Sequence, residues 1–127
     1  MSKVPKVSVL IPAYNYGYLL DETIQSVLDQ TYTDYELIIV DNCSNDNTVE
    51  VVQKYLSDNR ISFYRNETNI GLSGNWNRCL ELAKGTYIKF LCADDKFHPS
   101  LLEKYVAVMD ANPSVSIVTC NKQEFTN

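Results

Sequence analysis

Asp94 and Asp95 stand at the end of an apolar run, one residue after "YIKFLC" (Tyr87 to Cys92). Adjacent carboxylates raise each other's proton affinity unless a cation stands between them. The chain has one histidine, His98, and no clustered thiolates, so the cation that fits is hard and oxygen-seeking: Mg2+ or Mn2+, its shell completed by water or substrate phosphate. The same two acids also suit the start of an ordinary helix after Pro99, where the helix dipole favours them. Composition alone leaves both readings open.

Asp41 ends the run Leu37, Ile38, Ile39, Val40, and a carboxylate there is placed to accept a hydrogen bond from a base or ribose, or to start an Asx-turn in "DNCSND". "YNYGY" sets Tyr14, Tyr16 and Tyr18 around Gly17, a flexible point; the rings either offer a face to a planar base or pack locally. "NETNIGLSGNWN" (Asn66 to Asn77) reads as a loop with two glycines running into a helix. Helix N-termini attract phosphate, but Gly71-x-x-Gly74 matches neither a dinucleotide fingerprint nor a P-loop. His98, without a visible partner, reads as structural beside Pro99, and Trp76 reads as core.

Five strand-length runs position these residues: Val7–Ile11, Glu36–Asp41, Ile61–Arg65, Tyr87–Cys92 and Val115–Cys120, the second and fourth apolar enough to be buried on both faces. Between them, Leu20, Ile24, Val27 and Leu28 form one helical stripe. Trp76, Cys79, Leu80 and Ala83 form a second, and Leu102, Tyr105, Val106 and Met109 a third. Asn47 with Glu50 and Ser100 with Glu103 have capping-box spacing, Gly85 sits where a C′ glycine belongs, and Pro99 suits the first helical position. The order β-α-β-α-β-α-β-α-β predicts an α/β fold, a Rossmann-like open and mostly parallel sheet with helices on both faces. Ligands of such sheets bind beyond the carboxyl ends of the strands, where "PAYN", "DNCSND" and "ADDKFHP" would meet.

The bounds agree with a single domain. The chain has 127 residues, 45% of them hydrophobic and 21% charged, with a net charge of -5. That balance excludes disorder, and it offers no basic footprint for nucleic acid. Cys43, Cys79, Cys92 and Cys120 have no C-x-x-C spacing and read as reduced thiols of a cytoplasmic protein. No run reaches the ~20 apolar residues of a membrane span, and none resembles a signal peptide.

In combination, "VSVLIPAYNYGYLLDETIQSVLDQTYTDYELIIVDNCSNDNT" and "NIGLSGNWNRCLELAKGTYIKFLCADD" resemble the family 2 glycosyltransferases over Val7 to Asn112. The resemblance implies a GT-A fold, a nucleotide-sugar donor of the UDP-sugar type, a divalent metal (Mg2+ or Mn2+), and inverting transfer to a hydroxyl of a saccharide, lipid or protein acceptor. It implies that Pro12, Ala13 and Tyr14 line the nucleobase pocket, that Asp41 accepts from the base, and that Asn69 lies near the nucleotide. Asp94, as second Asp of a DXD pattern, becomes the chief metal ligand, with Asp95 beside it.

Two positions depart from that pattern. Cys92 stands where many relatives carry the first DXD aspartate, and a thiol is a poor ligand for Mg2+. Trp76 stands where many carry arginine, leaving Arg78 as the alternative charge for phosphates. Relatives take their general base from a following half, so residues 1–127 are expected to be the donor-binding half without the acceptor-binding half, the base lying beyond residue 127. Uncovered apolar surface would drive self-association, and the full-length protein would work in the cytoplasm or at the cytoplasmic face of a membrane. The competing expectation is a non-catalytic nucleotide-binding or assembly module. A phosphoacceptor receiver domain fits poorly, since its acids should follow the first strand.

Overall fold

Four of the five apolar runs become strands in the computed structural model, which describes residues 3–124. They are β1 (Val7–Ala13), β2 (Tyr35–Asp41), β3 (Ile61–Arg65) and β4 (Tyr87–Phe90), joined by α1 (Gly17–Leu28), α2 (Thr48–Gln53) and α3 (Gly71–Leu82), with α4 (Leu101–Ala111) following. The sheet has the order β3-β2-β1-β4, and every pairing is parallel. Ala13 lies level with Asp41 and Asp41 with Arg65, while β4 meets β1 lower down, Leu10 beside Phe90.

Alternation along the strands builds two cores. Val9 and Ile11 of β1 and Leu37 and Ile39 of β2 face Leu20, Ile24 and Val27 of α1, Val51 and Val52 of α2, and Leu102 and Val106 of α4. Leu10, Ile38 and Val40 face the other way, against Cys79 of α3. The α1 stripe read from the sequence is therefore the buried one, and β2 is closed on both faces as expected.

Several local expectations fail for reasons of tertiary context. β4 is not doubly buried: it is a four-residue edge strand with Ile88 43% exposed. Val115–Cys120 forms no ladder. A turn closed by the Val115 amide on the Asn112 carbonyl (2.9 Å) sends it past β4 and α4, leaving Ile117 exposed beside a cleft of about 340 Å³. Strand composition makes a strand only where an edge receives it in register.

Asn47 and Ser100 occupy N-cap positions, but neither side chain makes a cap bond. Asp46 Oδ1 takes the Thr48 amide (3.0 Å), and Gln30 Oε1, from the end of α1, takes the Leu102 amide (3.0 Å). Pro99 precedes α4 rather than opening it. Gly85 lies past the Ala83 cap, and its backbone is needed for contact: a Cβ there would stand 2.6 Å from the Ser8 nitrogen. Trp76 does pack, stacking on Phe90 with centroids 4.1 Å apart, whereas Leu80 of the same predicted stripe is exposed. Among the described residues no helix is long and apolar enough to cross a membrane.

Candidate functional site

Because all four strands run the same way, the loops after each of them share one rim. The chain builds outward from β1 to β2 to β3 and then returns to place β4 on the other side of β1. The crevice of such a sheet opens where the order reverses, here beyond β1 and β4. Tyr14 lies just past β1 and the Cys92–Asp95 loop just past β4, so Asp41 and Asp94 stand on the same edge, on either side of β1.

The loops after β1 and β2 are zipped together. Each turns through a left-handed residue, Asn15 (φ 57°) and Cys43 (φ 65°). The Asn15 amide donates to Ser44 Oγ (2.9 Å), the Asn45 amide to Asn15 Oδ1 (3.0 Å), and the Gly17 amide to Asp46 Oδ2 (2.9 Å). Gly17, expected to be flexible, is the first residue of α1 and is pinned there: a Cβ would fall 2.2 Å from Asn47 Oδ1 and 2.9 Å from the Thr48 nitrogen. Tyr14, Tyr16 and Tyr18 stay exposed around it, Tyr16 and Tyr18 with ring centroids 6.1 Å apart.

Asp41 sits beneath this zipper with no exposed area. Its carboxylate accepts the Ser44 amide (3.2 Å to each oxygen) and the Ser44 hydroxyl, and Arg65 Nη1 lies 3.3 Å away. Arg65 also donates to the Ser44 carbonyl (2.8 Å). In this conformation Asp41 organises its own loop, as an Asx-type cap does.

Asn69 is held by a group of asparagines that no sequence motif announces. Asn42 Nδ2 donates to Asn69 Oδ1 (2.9 Å) and to the Gly71 carbonyl (3.2 Å), while Asn42 Oδ1 accepts from the Ile70 amide (2.9 Å) and Asn66 Nδ2 (3.0 Å). Asn66 Nδ2 also reaches Asn75 Oδ1 (2.9 Å), and Asn75 Nδ2 the Val40 carbonyl (3.1 Å). The predicted loop from Asn66 to Asn77 is thus five residues of loop and then α3, its start held against the end of β2. Arg78 is about 10 Å down α3 from that start, at 1.5 Å per residue, so it is not a rim residue.

At the end of β4 the backbone does the positioning. The Leu91 amide continues the ladder to Leu10 (2.9 Å), and the Asp95 amide turns back to the Cys92 carbonyl (3.0 Å). Thr23 Oγ1 of α1 lies against the carbonyls of Ala93 (2.9 Å) and Asp95 (2.8 Å). Cys92, Asp94 and Asp95 then bring one donor atom each within 4.8 Å of one another. Burial pushes the Cys92 thiol up, and the charges of Asp95 and Asp94 push the same way. Two exposed carboxylate donors fit a hard divalent cation; the thiol is the member of the set that does not. Pro12 and Ala13 form the end of β1 between Asp41 and this cluster.

Residues 8–126 match the family model described as Glycosyl transferase family 2. TuaG of Bacillus subtilis (strain 168) is 42% identical over 106 residues, covering 83% of this chain and 42% of that protein. Two solved structures share the fold, which is of GT-A type. S. aureus TarS in complex with UDP has a TM-score of 0.80 at 30% identity, covering 85% of this chain and 33% of that one. The mannosyltransferase PcManGT from Pyrobaculum calidifontis, in complex with GDP-Man and Mn2+, has 0.85 at 25% identity, covering 96% and 37%. The chain spans less than half the length of the curated relatives it matches.

Proposed function

This chain belongs to glycosyl transferase family 2, and from that membership and the layout of its rim we propose that it binds a nucleotide-sugar donor of the UDP-sugar class. It does so as the donor-binding part of an inverting, cation-dependent glycosyltransferase whose acceptor is a hydroxyl of a saccharide, lipid or protein. The observation that carries this reading is the placement of Asp41 and Asp94 beyond β2 and β4, one strand to either side of β1. Two strand spacings, ~10 Å, suit a nucleoside diphosphate laid across the edge, with its base over β2 and its diphosphate in the crevice.

Each rim residue then has a task. The exposed face of Tyr14 stacks on the base above Pro12 and Ala13. Asp41 accepts the base's N–H in exchange for the Ser44 hydroxyl, a rearrangement confined to the zipper between the two loops. Asn69, fixed by Asn42, lines the nucleotide's flank. Asp94 and Asp95 hold Mg2+ or Mn2+, which when bound neutralises the diphosphate leaving group. On this reading the general base lies beyond residue 127.

Calorimetry of UDP with and without Mn2+ tests the proposal. Binding should strengthen with the metal and weaken at least tenfold, ~1.4 kcal/mol, in Asp94→Asn. Binding indifferent to both would favour a non-catalytic nucleotide-binding module, and no binding at all would overturn the donor site.

A further inference from the structure

The cysteine at the cation loop is the feature the donor-site reading leaves unused. Its sulfur converges with the two carboxylates: one donor atom from each of Cys92, Asp94 and Asp95 lies within 4.8 Å of the others. Three donors sharing one ion at ~2.0–2.3 Å stand ~3.3–4.0 Å from one another, so side-chain movement of up to ~1.5 Å on this exposed loop closes the set. The other three cysteines lie elsewhere: Cys43 donates toward the Glu67 carbonyl after β2, Cys79 is on the buried face of α3, and Cys120 is exposed beyond α4.

We infer that Cys92, Asp94 and Asp95 form a mixed sulfur–oxygen centre that takes a thiophilic divalent cation of the Zn2+ and Cd2+ class in preference to Mg2+. The inference rests on the reading of this loop as the cation-holding one and adds which cation it favours. A thiolate is soft and polarizable; it gains little from Mg2+, which demands oxygen ligands, and much from Zn2+ or Cd2+. Two carboxylates supply the remaining charge without dictating octahedral geometry. Zn2+ therefore competes for the seat at which Mg2+ or Mn2+ would serve the donor, and the Cys92 sulfur sets that preference.

The test uses Cd2+ titrated into the 127-residue chain without nucleotide, read by the ultraviolet sulfur-to-cadmium charge-transfer band. The band should appear in the unaltered chain and in a Cys43→Ser/Cys120→Ser variant, saturate at one ion per chain, and vanish in Cys92→Ser and Cys92→Asp. Cd2+ affinity should fall at least tenfold in Cys92→Ser, and Mn2+ affinity should rise in Cys92→Asp. Circular dichroism of each variant reports retention of the fold. A band of equal intensity in Cys92→Ser, or none in the unaltered chain, overturns the inference. The two readings separate cleanly: a missing band with Mn2+-enhanced UDP binding sinks the sulfur ligand alone. A Cys92-dependent band in a chain that binds no UDP sinks the donor site alone.

Discussion

The Thr23 hydroxyl stands 2.8 Å from the Asp95 carbonyl, tying the middle of α1 to the acidic loop seventy-two positions later. The Ala93 carbonyl (2.9 Å) and the Leu19 carbonyl (3.4 Å) share the same single proton. Thr23→Val keeps the shape and removes the donor, leaving the Ala93 and Asp95 carbonyls without their anchor. Stability should drop by ~1–3 kcal/mol in urea denaturation, and the Mn2+ enhancement of UDP binding should shrink, while Thr23→Ser stays close to the unaltered chain. Unchanged Mn2+ dependence in Thr23→Val would show that the anchor does not position Asp94 and Asp95.

Gly17 begins α1, where alanine would ordinarily gain up to ~1 kcal/mol of helix propensity. Here the added Cβ meets the Thr48 nitrogen at 2.9 Å and the Asn47 carbonyl carbon at 3.1 Å, both backbone atoms that cannot swing aside. Gly17→Ala should therefore destabilise, by ~1–3 kcal/mol as overpacking does, and should part the loops after β1 and β2. Thermal denaturation decides the sign; a stabilised variant would mean that the two loops are not held at this distance.

Asn75 is 3% exposed and joins Asn66 to the Val40 carbonyl. Asn75→Ala removes one acceptor and one donor and leaves both partners buried, at a cost of ~2–3 kcal/mol. The start of α3 and the Asn42–Asn69 bond should loosen with it, which amide hydrogen exchange at Ile70 and Gly71 would report as faster exchange. Asn75→Asp should be no rescue, because the carboxylate cannot donate to the Val40 carbonyl.

What the sequence disclosed was what periodicity encodes. The apolar stripe of α1 and the run before Asp41 were visible because burial repeats at a fixed spacing, and strands alternating with helices put the chemistry-bearing loops on one edge. The asparagines were not visible: the bonds of Asn42, Asn66 and Asn75 span nine to thirty-five positions. Gly85 misled for the same reason, since its constraint is the closeness of Ser8 rather than a helix end. Val115–Cys120 has a strand's residues and lacks a paired edge, which no local pattern records.

Asp46 links the loops after β1 and β2, and its ionisation gives the zipper a pH dependence. Desolvation pushes its carboxyl up, but the bonds from the Thr48 hydroxyl and the Gly17 and Thr48 amides outweigh it, and the folded value lies below the ordinary 3.8. A carboxyl depressed by folding stabilises the protein above its unfolded value and loses that contribution as pH falls through the folded one. Asp21 and Asp58 are depressed as well, Asp21 chiefly by Lys54 and Asp58 chiefly by Arg60, so total stability should decline on the acid side in any case. The Asp46 share appears as a difference: unfolding of the unaltered chain and of Asp46→Asn should be furthest apart near neutral pH and should converge as pH drops below 3.8. Curves that stay parallel down to that range would mean that the carboxylate's charge contributes nothing to holding the loops together.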